Sequence, residues 1–197
     1  MPNAAFTALL NDLYTITKRD DLVAETTVAV RAATVKLHQS DFYPRDLVET
    51  KVQFSTADYF QTLAYRSLFP NLRALHYVRK YESGAPTEFL DIVSPTNVMD
   101  EYNVSKENIC YMAGDVIQVR SNTQITDLLI GFYSNPVTLV DSYSSWIADM
   151  HNFAIVFEAA ATVFKMVGQD QEASAYKILA GEQMQIVKNS NILAEGF

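Results

Sequence analysis

The densest group of reactive side chains in this 197-residue sequence is His38-Gln39-Ser40-Asp41, with an imidazole, a hydroxyl and a carboxylate inside four positions. Such a group could supply a base and a nucleophile, and a cytosolic enzyme with a site near His38, Asp41 or Cys110 is the alternative it raises. The same letters suit a helix end, because short polar side chains bond the backbone where a helix stops, and that is the preferred reading. Asp20-Asp21 and Asp100-Glu101 are paired carboxylates of the kind used in acid–base work, but they fall where turns and helix ends need charge. Cys110 lies in the apolar run Ile109-Cys110-Tyr111-Met112, which predicts a buried strand thiol. His38, His76 and His151 lack the spacing of metal ligands, and Cys110 has no partner cysteine. The glycines at 84, 114, 131, 168, 181 and 196 form no phosphate cradle. These residues therefore predict no catalytic group, no metal and no cofactor. Trp146, the single tryptophan, is expected either to pack at a junction between sheet and helices or to anchor an interface.

The elements that would carry these side chains follow from apolar spacing. Phe6, Leu9, Leu10 and Leu13 predict a helix over residues 4–16 with Asn3 as cap. Leu22, Thr26, Ala29, Ala33 and Leu37 predict a second, capped by Asp20 or Asp21 and ending near Gln39. Beyond Pro44 the period falls to two, with Val48, Thr50, Val52 and Phe54 alternating with Glu49, Lys51 and Gln53. A hairpin over 72–81 and 87–93, a helix over 95–102, and three strands at 109–112, 116–120 and 125–133 complete this part. From Phe153 to Val167 the chain is almost wholly apolar, so its helix should be buried on more than one side. Phe153, Val156, Phe157, Ala160, Phe164 and Val167 form its strongest stripe. Gly168 suits the left-handed residue that ends a helix, and Ala173, Tyr176, Ala180, Met184 and Val187 then mark the inner face of a returning helix. Gly181 inside that helix implies a close crossing or a bend.

Helices at both ends enclosing a run of strands give an α+β class. The expected architecture is an antiparallel helical bundle formed by the N- and C-terminal helices, carrying an inserted, mainly antiparallel β subdomain. Its expected parts are N-terminal helices at 1–42, the β subdomain at 43–140, a helical hairpin at 141–188 and a tail at 189–197. The net charge of −8, spread as −1, −3 and −4 over 1–42, 43–140 and 141–197, argues against a surface that grips DNA. No signal-like leader and no run of 18 apolar residues is present, which predicts cytosol-like conditions and no membrane. Apolar content of 49%, with 12% aromatic residues, predicts additional burial between subunits.

Several segments resemble the head-to-tail adaptors of tailed bacteriophages, in the tail tubular protein A or gatekeeper class. They are Ser144-Ser145-Trp146-Ile147-Ala148-Asp149 with the run Phe153 to Ala160, then Gly168-Gln169-Asp170-Gln171-Glu172-Ala173. Phe42-Tyr43-Pro44-Arg45-Asp46, Asn71 to Tyr77 and Gly131 to Pro136 are similar too, and the order of helices and strands agrees over nearly the whole chain. The resemblance implies a structural virion protein, assembled in the host cytoplasm, without enzymatic activity or cofactor. It implies a homo-oligomeric ring, twelvefold by that analogy, seated between the portal protein and a tail nozzle or tail tube protein, with double-stranded DNA passing through. By the same analogy Asn189, Ile192, Leu193 and Phe197 would dock into the portal, while Trp146, Phe153, Phe157 and Phe164 would pack the core or the joint between subunits. A different head-completion or tail-terminator ring is the alternative within the same structural class.

Overall fold

A computed structural model describes residues 3–99 and 104–192. The chain divides into two compact units, residues 1–46 with 135–197, and residues 47–134. The first is helical and the second is built of strands, so the α+β class holds.

In the helical unit, α1 spans Ala4–Thr17, and the Asn3 side chain accepts the Ala5 amide as its cap. The next helix, α2, spans Val23–Gln39. The expected cap at Asp20 or Asp21 is not found: Leu22 occupies the N-cap with no side-chain bond, and Asp21 instead takes both arms of Arg19 at 2.8 and 2.9 Å. A fork of two parallel bonds to a guanidinium competes well with a single bond to a backbone amide. Later in the chain come α4, Trp146–Met150, and α5, Asn152–Met166. Gly168 adopts φ +76°, and α6 runs back over Asp170–Ile192.

These helices do not make a clear antiparallel bundle. The physical reason is α5: Ala154, Ile155, Val156, Ala159, Ala160, Val163 and Phe164 are all buried, so it acts as a hub on which α1, α2, α4 and α6 each pack. A helix that is apolar nearly all round requires neighbours on several sides. Phe6, Leu9 and Leu13 of α1, Ala29, Val30, Ala33 and Leu37 of α2, and Ala173 and Val187 of α6 complete that core. The expected tail also begins too early, since Asn189 and Ile192 belong to the last turns of α6.

In the other unit, β1 spans Leu47–Leu63, followed by the short helix α3, Tyr65–Leu68. Then come β2, Leu72–Glu82; β3, Ala85–Ile92; β4, Ile109–Ala113; and β5, Val116–Ser134. β5 is the spine. One of its edges takes β1 along most of its length, and the other takes β4 near one end and β2 near the other. β3 joins β2 antiparallel and β4 parallel, so β5, β2, β3 and β4 close a small barrel. Closure removes edges that would otherwise invite pairing with other chains.

Two strands were expected where β5 is continuous. The polar letters Ser121-Asn122-Thr123-Gln124 read as a turn, but the buried ammonium of Lys80 holds them extended, donating to Asn122 Oδ1 at 2.8 Å and Thr123 Oγ1 at 3.1 Å. The helix expected over 95–102 is only a 3-10 turn at Pro95–Asn97, and residues 100–103 lie outside the described residues. Leu63, Phe69, Val78, Leu90, Cys110, Ile117, Val119, Ile125, Leu128, Ile130 and Phe132 form the barrel's own core.

Candidate functional site

His38 sits at the C-terminal end of α2, only 2% exposed. Its Nδ1 lies 2.8 Å from Asp46 Oδ1 and its Nε2 2.9 Å from Ser145 Oγ. An ionised carboxylate can only accept, so the bond to Asp46 is donated by Nδ1–H, and Nε2 is left facing the serine hydroxyl. The Trp146 indole N–H donates to the same Asp46 oxygen at 2.8 Å, and its ring meets those of His38 and Tyr43 edge-on at 5.7 and 5.3 Å. The Arg45 guanidinium covers the other aspect of the indole at 5.4 Å. Serine, histidine and aspartate thus stand in relay order, an arrangement able to draw the hydroxyl proton toward the imidazole.

Burial gives that relay a different use. Ser145 is 5% exposed, and its Oγ also accepts the Ala148 amide at 3.2 Å as the N-cap of α4. Neither of the two grooves described below is lined by His38, Asp46 or Ser145. A substrate carbonyl has no route to that oxygen from either groove. The network ties the end of α2, the 3-10 turn Pro44–Asp46 and the start of α4 together through one buried polar cluster.

The neighbours of His38 in sequence serve the backbone. Ser40 Oγ donates to Leu37 O at 2.7 Å, Asp41 Oδ1 accepts the Phe42 amide at 2.8 Å, and Asp41 also meets Lys188 at 3.7 Å. Cys110 is fully buried in β4, and burial first, with Asp91 adding to it, pushes its thiol up to about 12, so it is not a nucleophile at neutral pH. His151 bonds Ser190 Oγ at 3.2 Å, and burial followed by the Arg45 charge holds it below the ordinary imidazole range. His76 is exposed beside Tyr77 and Tyr133. Among the described residues no three ligand-type side chains group as a metal site.

A charged cluster that sequence reading missed lies on α5. Glu158 is 5% exposed, and Lys177 of α6 donates to both of its oxygens at 2.7 Å while Lys36 of α2 joins Oε1. Burial alone would raise its pKa, but the bonds and charges of Lys177 and Lys36 outweigh this and hold the carboxyl below its ordinary value. The one acid on an apolar helix therefore clamps three helices together.

The residues expected to pack divide in two. Phe164 is 6% exposed and stacks on Tyr176 at 5.3 Å, and Trp146 and Phe157 are half-buried. Phe153, by contrast, is 47% exposed and stacks on Phe157 at 5.4 Å. It lies outside the core of this chain, while Ile155 and Ala159 on the same helix are fully buried. Asn189 is exposed on α6 and accepts from Gln185 at 3.1 Å, while Leu193 and Phe197 lie outside the described residues.

Two grooves mark the outside of the helical unit. One, of about 830 Å³, is lined by Val28, Arg31, Ala32, Val35, Lys36 and Met184 among others. The second, of about 800 Å³, runs between α5 and α6 beside Ala161, Met166, Ala173, Lys177 and Ile178. Around them Val28, Leu139, Met166, Ile178 and Ile186 remain in water, from 48% to 65% exposed. No described helix is long and apolar enough to cross a membrane. No protein-family model matches the chain, and no curated protein matches it in sequence.

Proposed function

We propose that this chain is a structural virion protein, a head-to-tail adaptor subunit whose copies form a ring, of twelve by analogy, joining portal to tail around the DNA channel. The observation that carries this reading is the apolar surface of the helical unit, where Val28, Phe153, Met166, Ile178 and Ile186 stay exposed although the unit already has a complete core. Such exposure around an already filled core is the signature of surfaces covered by other subunits. The segment resemblance supplies the kind of assembly, and the acidic balance of the chain supports a lumen along which DNA slides without sticking. The burial of the Ser145 hydroxyl counts against the enzyme alternative at that relay.

In this reading the end of α6, from Asn189 to Ile192, together with Leu193 and Phe197, is the portal-docking segment. The test is imaging by electron microscopy of the purified chain mixed with a phage portal. A ring seated under the portal is expected, and removal of residues 193–197 should release it while leaving helix content unchanged. A chain that remains a lone globule holding a small molecule in a cleft would end the reading.

A further inference from the structure

The last helix, α6, has two apolar sides. Ala173, Tyr176, Ala180, Met184 and Val187 turn inward, with Ala180 at 1% and Val187 at 0% exposure. Away from them Ala175, Ile178, Leu179 and Ile186 face water, with Ile178 65% and Ile186 48% exposed. Steps of three, four and seven residues put these positions, with Glu172 and Glu182, along one outer flank of the helix. Surface helices ordinarily keep that flank polar.

The groove beside α2 has the complementary chemistry. Val28, Ala32, Val35 and Met184 give it an apolar lining, and Arg31 on its wall is an exposed cation in a chain of net charge −8, beside Lys36, which is already bonded to Glu158. Recognition of a helix in a groove needs an apolar ridge at helical spacing and opposite charges along the rim. Both requirements are met by surfaces of one chain. Since Met184 of α6 already lines the groove from the inner side of the helix, the outer flank of the same helix cannot enter it.

We propose that the outer flank of α6 of one copy seats in the α2 groove of the next, with Ile178 as the buried anchor and the Glu172 and Glu182 side of the helix toward Arg31. Because the two patches differ, the contact is head-to-tail, and repetition closes a ring or extends a filament. This is the joint of the ring proposed above, and it rests on that reading.

Two substitutions test it, Ile178→Glu on the ridge and Val28→Glu in the groove, both at exposed positions so that circular dichroism and melting should match the parent. By sedimentation velocity the parent self-associates, and each variant alone loses association by at least about thirtyfold, the scale of losing one buried anchor. Mixed together, the two variants form a dimer through their one intact joint and nothing larger. A parent chain that stays monomeric, variants that assemble like the parent, or a mixture that stays monomeric would each overturn the joint. A monomer that captures a portal helix through Ile178 would also overturn it, since the occupant is then another protein. Imaging of virions separates the two ideas: rings that persist with both substitutions refute the joint and keep the adaptor reading, whereas a self-associating chain absent from the particle refutes the adaptor reading.

Discussion

Three single positions show how far a local rule extends before its surroundings decide. Gly181 lies within α6, yet a methyl group built there meets nothing within 4 Å, so the close crossing that was one of the two expectations is not found. Gly181→Ala should raise stability by up to about 1 kcal/mol, read as an upward shift in the thermal midpoint. Gly131 of β5 is the opposite case, because an added Cβ would stand 2.4 Å from the Tyr77 ring that pairs across from it. That ring is also held by the bond from its hydroxyl to Glu49, so Gly131→Ala should cost about 1–3 kcal/mol in denaturant unfolding. At Ser145 one hydroxyl serves two partners, His38 and the Ala148 amide. Ser145→Ala should cost about 2 kcal/mol, and an unchanged midpoint would show that the buried cluster contributes little.

At the scale of elements, the helices around α5 are joined by Glu158 as well as by apolar packing. Its carboxyl titrates below its ordinary value of 4.5 in the folded chain, so its contribution is fully present above that value and is lost as pH falls through the lowered one. Urea midpoints measured downward from pH 6 should therefore fall below about pH 4.5, and Glu158→Gln should flatten that part of the profile. Lys36 and Lys177 are about half-exposed, so each can rehydrate when its partner is removed, whereas the carboxylate cannot. Replacing both lysines by methionine should accordingly cost about 3 kcal/mol and exceed the effect of Glu158→Gln. Reversal of that order would show that the carboxylate is wetter than its burial implies.

For the whole molecule, the two units have separate cores, and the chain passes between them next to the pairing of Leu47 with Tyr133. Residues 46 and 135 are therefore close together. Replacing residues 47–134 by a short Gly-Ser linker should leave a helical protein that melts cooperatively, followed by far-ultraviolet circular dichroism. A molten, noncooperative product would mean that the helical core depends on the barrel to fold. The two apolar flanks of α6 belong to this scale as well, since one is packed within the chain and the other stays exposed.

The sequence alone carried the α+β class, the limits of α1, the apolar all-round character of α5, the left-handed stop at Gly168 and the buried inertness of Cys110. All of these depend on contacts within a few residues or on composition, so periodicity reports them. It could not show that Asp46 and Ser145 are the partners of His38, because the serine is more than a hundred positions away and either residue alone reads as a cap or a turn. It could not separate the inner from the outer side of α5, since an apolar helix leaves no polar face to orient it, and for that reason Phe153 could be given only as packing in the core or between subunits. The continuity of β5 and the clamp on Glu158 were hidden alike, because in both a buried charge is satisfied by partners from distant elements. Only the folded chain brings those partners within bonding distance, and the desolvation of a charge then decides which contacts must form.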